Sequence, residues 1–251
     1  MVTKRIFGWK PDKPDFRDIK YKVVRAVKLP ASVDLRDLLS PIEDQGNIGS
    51  CTAHAGVAAL EYLENKNKVK FTDLSRLFVY YNTRVIEKTV SYDSGAEIRN
   101  TIKAMAKQGV CNEGMCPYIE KNYKKKPPAS CYTDGIKRKI LTYSRLTTLT
   151  DMKSCLASGF PFQFGFSVYS SFCSDKVAET GIVNLPTKRE SLEGGHAVLA
   201  VGYDDSTQRF LVRNSWSAEW GMKGYFTIPY KYLTNSNLAD DFWKIEIMQE
   251  G

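Results

Sequence analysis

The spacing of hydrophobic positions changes near the middle of the chain. From Cys51 onward, Ala55, Ala58, Ala59, Tyr62 and Leu63 recur at helical intervals, with Ser50 before them as a candidate N-cap. Leu77, Phe78, Tyr81 and Val85 make a second stripe within 74–85, with Ser75 placed to cap it. Ile98, Ile102, Met105 and Ala106 make a third, which Gly109 should stop. The later chain reads as strands. Residues 137–146 alternate, as does Phe162-Gln163-Phe164-Gly165-Phe166-Ser167-Val168. Ala197 to Val201 is a continuous apolar run leading to a turn over 202–206, and Phe210–Arg213 and Tyr225–Ile228 are further strands. Pro11 and Pro14 deny residues 1–29 a regular helix, so that segment is expected to be extended. The pattern predicts an α+β protein: a helical lobe over 30–130, a β-rich lobe over 131–251, and a functional cleft between them. The stretch around Pro127-Pro128 is the expected connection.

Composition narrows this picture. With 251 residues, 43% of them hydrophobic, the chain can bury a sizeable core. No stretch approaches the ~18 apolar residues of a membrane span. The N-terminus starts basic but lacks the apolar core of a signal peptide, so a place inside a cell or virion is expected rather than secretion. The six cysteines, without a signal peptide, argue against a dense disulfide scaffold, and whether Cys111 and Cys131 are bridged stays open. Two histidines and one close cysteine pair give weak support for zinc. The net charge of +8 is partly clustered, with Lys121, Lys124, Lys125 and Lys126 around Tyr123. That cluster is either a weak polyanion site or an ordinary solvated face; no nucleic-acid motif accompanies it. The chain is expected to be a monomer with no membrane partner.

Candidate chemistry centres on Cys51. A cysteine attacks as the thiolate, and a helix N-terminus lowers its pKa. The competing reading is a small buried hydrophobe. Gln45 lies six residues upstream across Gly46 and Gly49, close enough for its amide to join the Cys51 N–H in an oxyanion hole. Either histidine could serve as base. His54 shares the Cys51 helix but lies among alanines, as a core residue would. His196 follows Gly194-Gly195 at the start of a strand and is favoured. Asn214, at a strand end before Ser215-Trp216, can accept from an imidazole nitrogen and fix the ring, with Trp216 and Trp220 shielding the bond.

Together these segments resemble the papain and cathepsin family of cysteine peptidases. The resemblance rests on Gln45-Gly46-Asn47-Ile48-Gly49-Ser50-Cys51, on Gly194-Gly195-His196-Ala197-Val198, and on Asn214-Ser215-Trp216 with Trp220-Gly221. The motifs occur in the family's order and span roughly residues 29–230. His196 lies 145 residues beyond Cys51 and Asn214 lies 163 beyond, against about 130–150 for the family, so the asparagine sits slightly late. The family's usual Cys-Gly-Ser-Cys-Trp reads Ile48-Gly49-Ser50-Cys51-Thr52 here, Ser217 replaces a glycine, and the disulfide region opposite reads Asp93-Ser94-Gly95. Loss of that disulfide, with the segment Phe7 to Asp18, looks like the bacterial and viral branch.

The resemblance implies a papain-like two-lobe fold with a β-barrel-like second lobe. It also implies thioester acyl transfer on peptide or protein substrates, with no metal or cofactor. It makes Cys51 the nucleophile, His196 the base, Asn214 its orienter and Gln45 an oxyanion donor. It places substrate against Gly95 and Ala96 and lines the cleft with Ile98, Gly165, Gly195, Ala197 and Trp216. The second subsite would take an apolar side chain, with its floor near residues 238–241. The short segment before residue 30 would cover part of the cleft and restrain activity. A homologue that binds without cleaving, or a transpeptidase or isopeptidase using the same residues, remains an alternative.

Overall fold

The structure is a computed structural model that describes residues 6–22 and 28–247. Of the segment expected to be extended, residues 1–5 and 23–27 lie outside the described residues.

Helix α1 (Cys51–Lys66) is buried along nearly its whole length, from Cys51 to Glu64. Its small residues explain how it can be central. Ala53, Ala58 and Ala59 let neighbours approach, and a Cβ on Gly56 would come within 2.9 Å of the Met105 sulfur. Ser50 occupies the N-cap position but makes no side-chain cap bond; its hydroxyl is engaged with Tyr118 instead. Helix α2 (Arg76–Glu87) begins as the sequence predicts, with the Ser75 hydroxyl accepting from the Phe78 amide at 3.1 Å. Helix α3 (Ile98–Gln108) ends at Gly109, whose φ of 69° a side chain would resist. The short α4 (Ala129–Gly135) still belongs to this packing: Cys131 lies with Phe78 and Cys111 in a small buried cluster. All six cysteines are free thiols.

The remaining elements build one antiparallel sheet: β1 (Ser32–Asp34), β2 (Thr142–Arg145), β3 (Phe162–Tyr169), β4 (Leu192–Asp204), β5 (Arg209–Arg213), β6 (Tyr225–Pro229) and β7 (Ala239–Glu246). Helices α5 (Leu149–Ala157), α6 (Asp175–Thr180) and α7 (Tyr230–Leu233) pack around it. The strand order is β2-β7-β3-β4-β5-β6, with β1 paired to the end of β4. The path does not close, so the expected barrel-like lobe is an open sheet.

Strand β4 joins the two lobes. Ala197, Leu199 and Val201 face the helical core, whereas Val198 and Ala200 belong to the aromatic core of the sheet. A strand buried on both faces cannot alternate polar with apolar, and this explains its continuous apolar run. The aromatic core includes Phe162, Phe164 and Phe166 from β3 with Phe210 and Phe226. Residues 6–12 lie on this framework as a strap, joined to Ala96 on one side and Gly195 on the other.

Candidate active site

Cys51 is the first residue of α1 and is completely buried. The Ala197 amide donates to its sulfur at 3.4 Å, which places the start of α1 directly against β4 one residue after His196. His196 Nε2 and Asn214 Oδ1 are 2.8 Å apart. Because an amide oxygen only accepts, Nε2 carries the proton and Nδ1 is left as the nitrogen that can take one. The Ser215 amide also donates to Asn214 Oδ1, at 2.9 Å, fixing the side chain from its own turn. Trp216 stacks on the imidazole with centroids 5.0 Å apart and planes at 29°.

Gln45 is tied to the same turn. Its backbone N–H donates to the Ser215 carbonyl at 2.9 Å, and its side-chain Oε1 accepts from the Ser215 hydroxyl at 2.7 Å. That second bond decides which way the side-chain amide points: Nε2 is left as donor, reaching Ile48 O at 3.1 Å and Ile6 O at 3.3 Å. The loop is further held by Tyr118, whose hydroxyl donates to Gln45 O at 2.8 Å. His54 lies behind this loop. Its Nδ1 is 3.1 Å from Ser50 O, its ring meets Tyr118 edge-on, and burial pushes its pKa down to about 3. A histidine so held is neutral and core-like.

The substrate-lining candidates meet the strap. Gly8 O accepts from Ala96 N at 2.7 Å, Lys10 N donates to Ala96 O at 3.1 Å, and Trp9 N donates to Gly195 O at 2.8 Å. The Trp9 indole lies over two glycines: a Cβ on Gly165 would come within 1.9 Å of it, and one on Gly195 within 2.7 Å. Phe7 packs towards His196 and Trp216, with centroids 6.3 and 6.1 Å away. Ile98 is fully buried at the first turn of α3, in the helical core. Strap and site together bury the sulfur, and that burial pushes the Cys51 thiol up to about 11 despite amide donors from Ala197 and Gly8.

Two carboxylates that sequence reasoning did not assign hold the strap. Asp241, within the expected subsite floor, accepts from Trp9 Nε1 at 3.0 Å and from the Asp12 amide at 2.8 Å. Asp12 in turn accepts from Trp243 Nε1 at 2.8 Å and from the Arg99 amide at 3.0 Å. Arg145 reaches Asp241 at 2.8 Å. No periodic signal could have found these partners, which lie more than 200 residues apart in the Asp12–Asp241 and Trp9–Asp241 bonds. Lys121, Lys124, Lys125 and Lys126 are exposed. No cluster able to hold a metal ion occurs among the described residues.

The two-lobe architecture is that of a solved cysteine protease, xylellain from Xylella fastidiosa. The two share a TM-score of 0.91 and 44% identity over 96% of each chain. A peptidase C1-like protein of Acanthamoeba polyphaga mimivirus is 42% identical, covering 98% of this chain and 88% of its own length. Cysteine proteinase 3 of Entamoeba histolytica is 30% identical over 82% of this chain and 65% of its own length. Residues 29–243 match the model of the papain family cysteine proteases, and the chain belongs to that family.

Proposed function

We propose that the chain hydrolyses internal peptide bonds through a thioester on Cys51, with His196 as the base, Asn214 as its orienter, and Gln45 Nε2 with the Cys51 amide as oxyanion donors. The observation that carries this reading is the joint placement of the four residues. The sulfur at the helix start touches the amide that follows His196, and one turn, Asn214-Ser215, anchors both the imidazole and the Gln45 amide.

The chemistry follows from these positions. His196 takes the thiol proton on Nδ1, and Asn214 holds the imidazolium by accepting from Nε2. The thiolate attacks the substrate carbonyl, and the oxyanion forms where Gln45 Nε2 now meets Ile6 O. His196 protonates the leaving amine, and water then cleaves the thioester with His196 as base. The strap occupies this path, so the described state is a resting one. The strap must lift before substrate can enter, and uncovering the sulfur removes the desolvation that keeps it a thiol. The slot filled by the Trp9 ring is the candidate second subsite. Its glycine walls suit a large apolar side chain, and Asp241 adds an acceptor at its far side.

The test is labelling by a thiol-directed epoxide together with turnover of fluorogenic peptides. Both should vanish in Cys51→Ala. Turnover that survives this substitution would remove Cys51 from the reaction.

A further inference from the structure

Three backbones meet at Gly8, Gly49 and Gly95. A Cβ on Gly8 would come within 2.0 Å of Gly49 O, one on Gly95 within 2.1 Å of Gly8 O, and one on Gly49 within 3.2 Å of Gly95 Cα, so the strap backbone lies against both walls where they adjoin. The two walls belong to different segments, and no disulfide joins them, since every cysteine is free. What does join them is Asp93. Its two oxygens accept from the Gly49 amide at 3.1 and 2.9 Å. The Tyr80 hydroxyl donates to Asp93 Oδ1 and accepts from the Gly95 amide at 3.2 Å. Tyr80 is fully buried under the Arg84 guanidinium, which lies 4.1 Å from its ring centroid. Arg84 donates to the carbonyls of Val90 and Tyr92, at 3.2 and 3.1 Å, and so fastens the Asp93 segment to α2.

We propose that Asp93 is a positioning residue: its carboxylate holds the nucleophile loop at Gly49 against the Gly95 edge, setting both the aim of the Cys51 amide and the width of the slot. The proposal rests on the reading of Cys51 as nucleophile. Gly49 is two residues before the Cys51 N–H, and Gln45 is four residues before Gly49, so the pinned point lies between the two oxyanion donors. A carboxylate suits this place because one side chain must accept from a backbone amide and a tyrosine hydroxyl at once, which an apolar residue cannot do. If the loop shifts, both donors leave the position where the oxyanion forms, and stabilisation of that charge depends steeply on donor placement.

The experiment measures kcat and KM on a fluorogenic peptide for full-length wild type, Asp93→Leu, Asp93→Asn and Tyr80→Phe. Rates are expressed per Cys51 titrated with an epoxide. A strap that competes with substrate raises KM and leaves kcat unchanged, so kcat isolates the effect. The expected result is a kcat about tenfold or more lower in Asp93→Leu. Asp93→Asn should recover part of the loss because it keeps one acceptor oxygen, and Tyr80→Phe should fall between them. A merely structural role would lower Tm and the titratable fraction but leave kcat per site within about twofold, and that outcome overturns the proposal. If Asp93→Leu does not fold, unchanged kcat in both Asp93→Asn and Tyr80→Phe overturns it equally. Wild-type turnover that persists in Cys51→Ala would instead sink the reading on which it rests.

Discussion

The proposed chemistry rests on single residues. Cys51, His196, Asn214 and Gln45 are of the types acyl transfer would require: a nucleophile, a base, an orienter and an amide donor. Asp12, Asp93 and Asp241 carry no such signature, because a carboxylate bonded to a distant amide or indole leaves no local pattern. Gln45→Ala should lower kcat by about 10²–10³ with little change in KM, measured on a fluorogenic peptide, because the donor acts on developing charge. Asp12 gives a pH prediction. Burial, then the nearby Asp241 charge, pushes its carboxyl up to about 7, and burial also raises Asp241. Arg99, Arg145, Asp18 and Asp240 complete the surrounding charges, four carboxylates against two guanidiniums. In a lifted strap Asp12 would return toward its ordinary value of 3.8. A carboxyl with the higher pKa in the closed state favours closure while protonated. Closure is therefore strongest at acid pH and weakens as pH rises towards 7. Hydrogen-exchange protection of the Trp9 and Lys10 amides, corrected for intrinsic rates, should fall at least about tenfold between pH 5 and pH 8. Constant protection would contradict this.

At the level of elements, the long periodic ones were legible and the charged or short ones were not. Helices α1 to α3 follow their stripes, and strands β3 to β6 contain their apolar runs, although β4 continues to Asp204 through residues 202–204, where a turn was expected, because they pair with β1 and β5. Strand β7 was missed although it lies between β2 and β3. Asp240, Asp241, Lys244 and Glu246 give it the look of a loop, and Asp241 sits at φ 59° where the pairing with β3 shifts register. Those charges are satisfied by Arg145, by the strap and by each other, none of which composition reveals. Helix α5 was missed despite a capping box between Thr148 and Asp151; Thr148→Ala should cost about 1 kcal/mol of stability, read as a drop in Tm. The strap is the element whose contacts bear most on the proposed activity. Trp9→Ala in the full chain removes an indole from its slot and its bond to Asp241. A loss of about 2 kcal/mol of closure is expected. It should appear as a lower KM and faster alkylation of Cys51 by iodoacetamide. Unchanged values would mean that the strap does not limit access.

Across the whole molecule, the two lobes were visible as a change of period, but the way they join was not. β4 serves both cores, and the turn at Asn214 to Trp216 pairs with Asp44 and Gln45 of the opposite lobe. This stitching explains how side chains from distant parts of the chain meet without a metal ligand set or disulfide among the described residues. It also explains how the candidate residues meet while covered: strap and lobes share the same backbone edges at Ala96 and Gly195. The α4 segment packs with the helical lobe through Cys131, which extends that lobe's packing past the Pro127-Pro128 stretch. In the proposed reaction the sulfur of Cys51 receives the acyl group of a substrate. Mixing the full chain with an activated peptide ester, quenching in acid and mapping the product by peptide mass spectrometry tests it directly. One acyl group is expected, on the peptide containing Cys51. An acyl group on another cysteine, or turnover of the ester with no acylated Cys51, would contradict it.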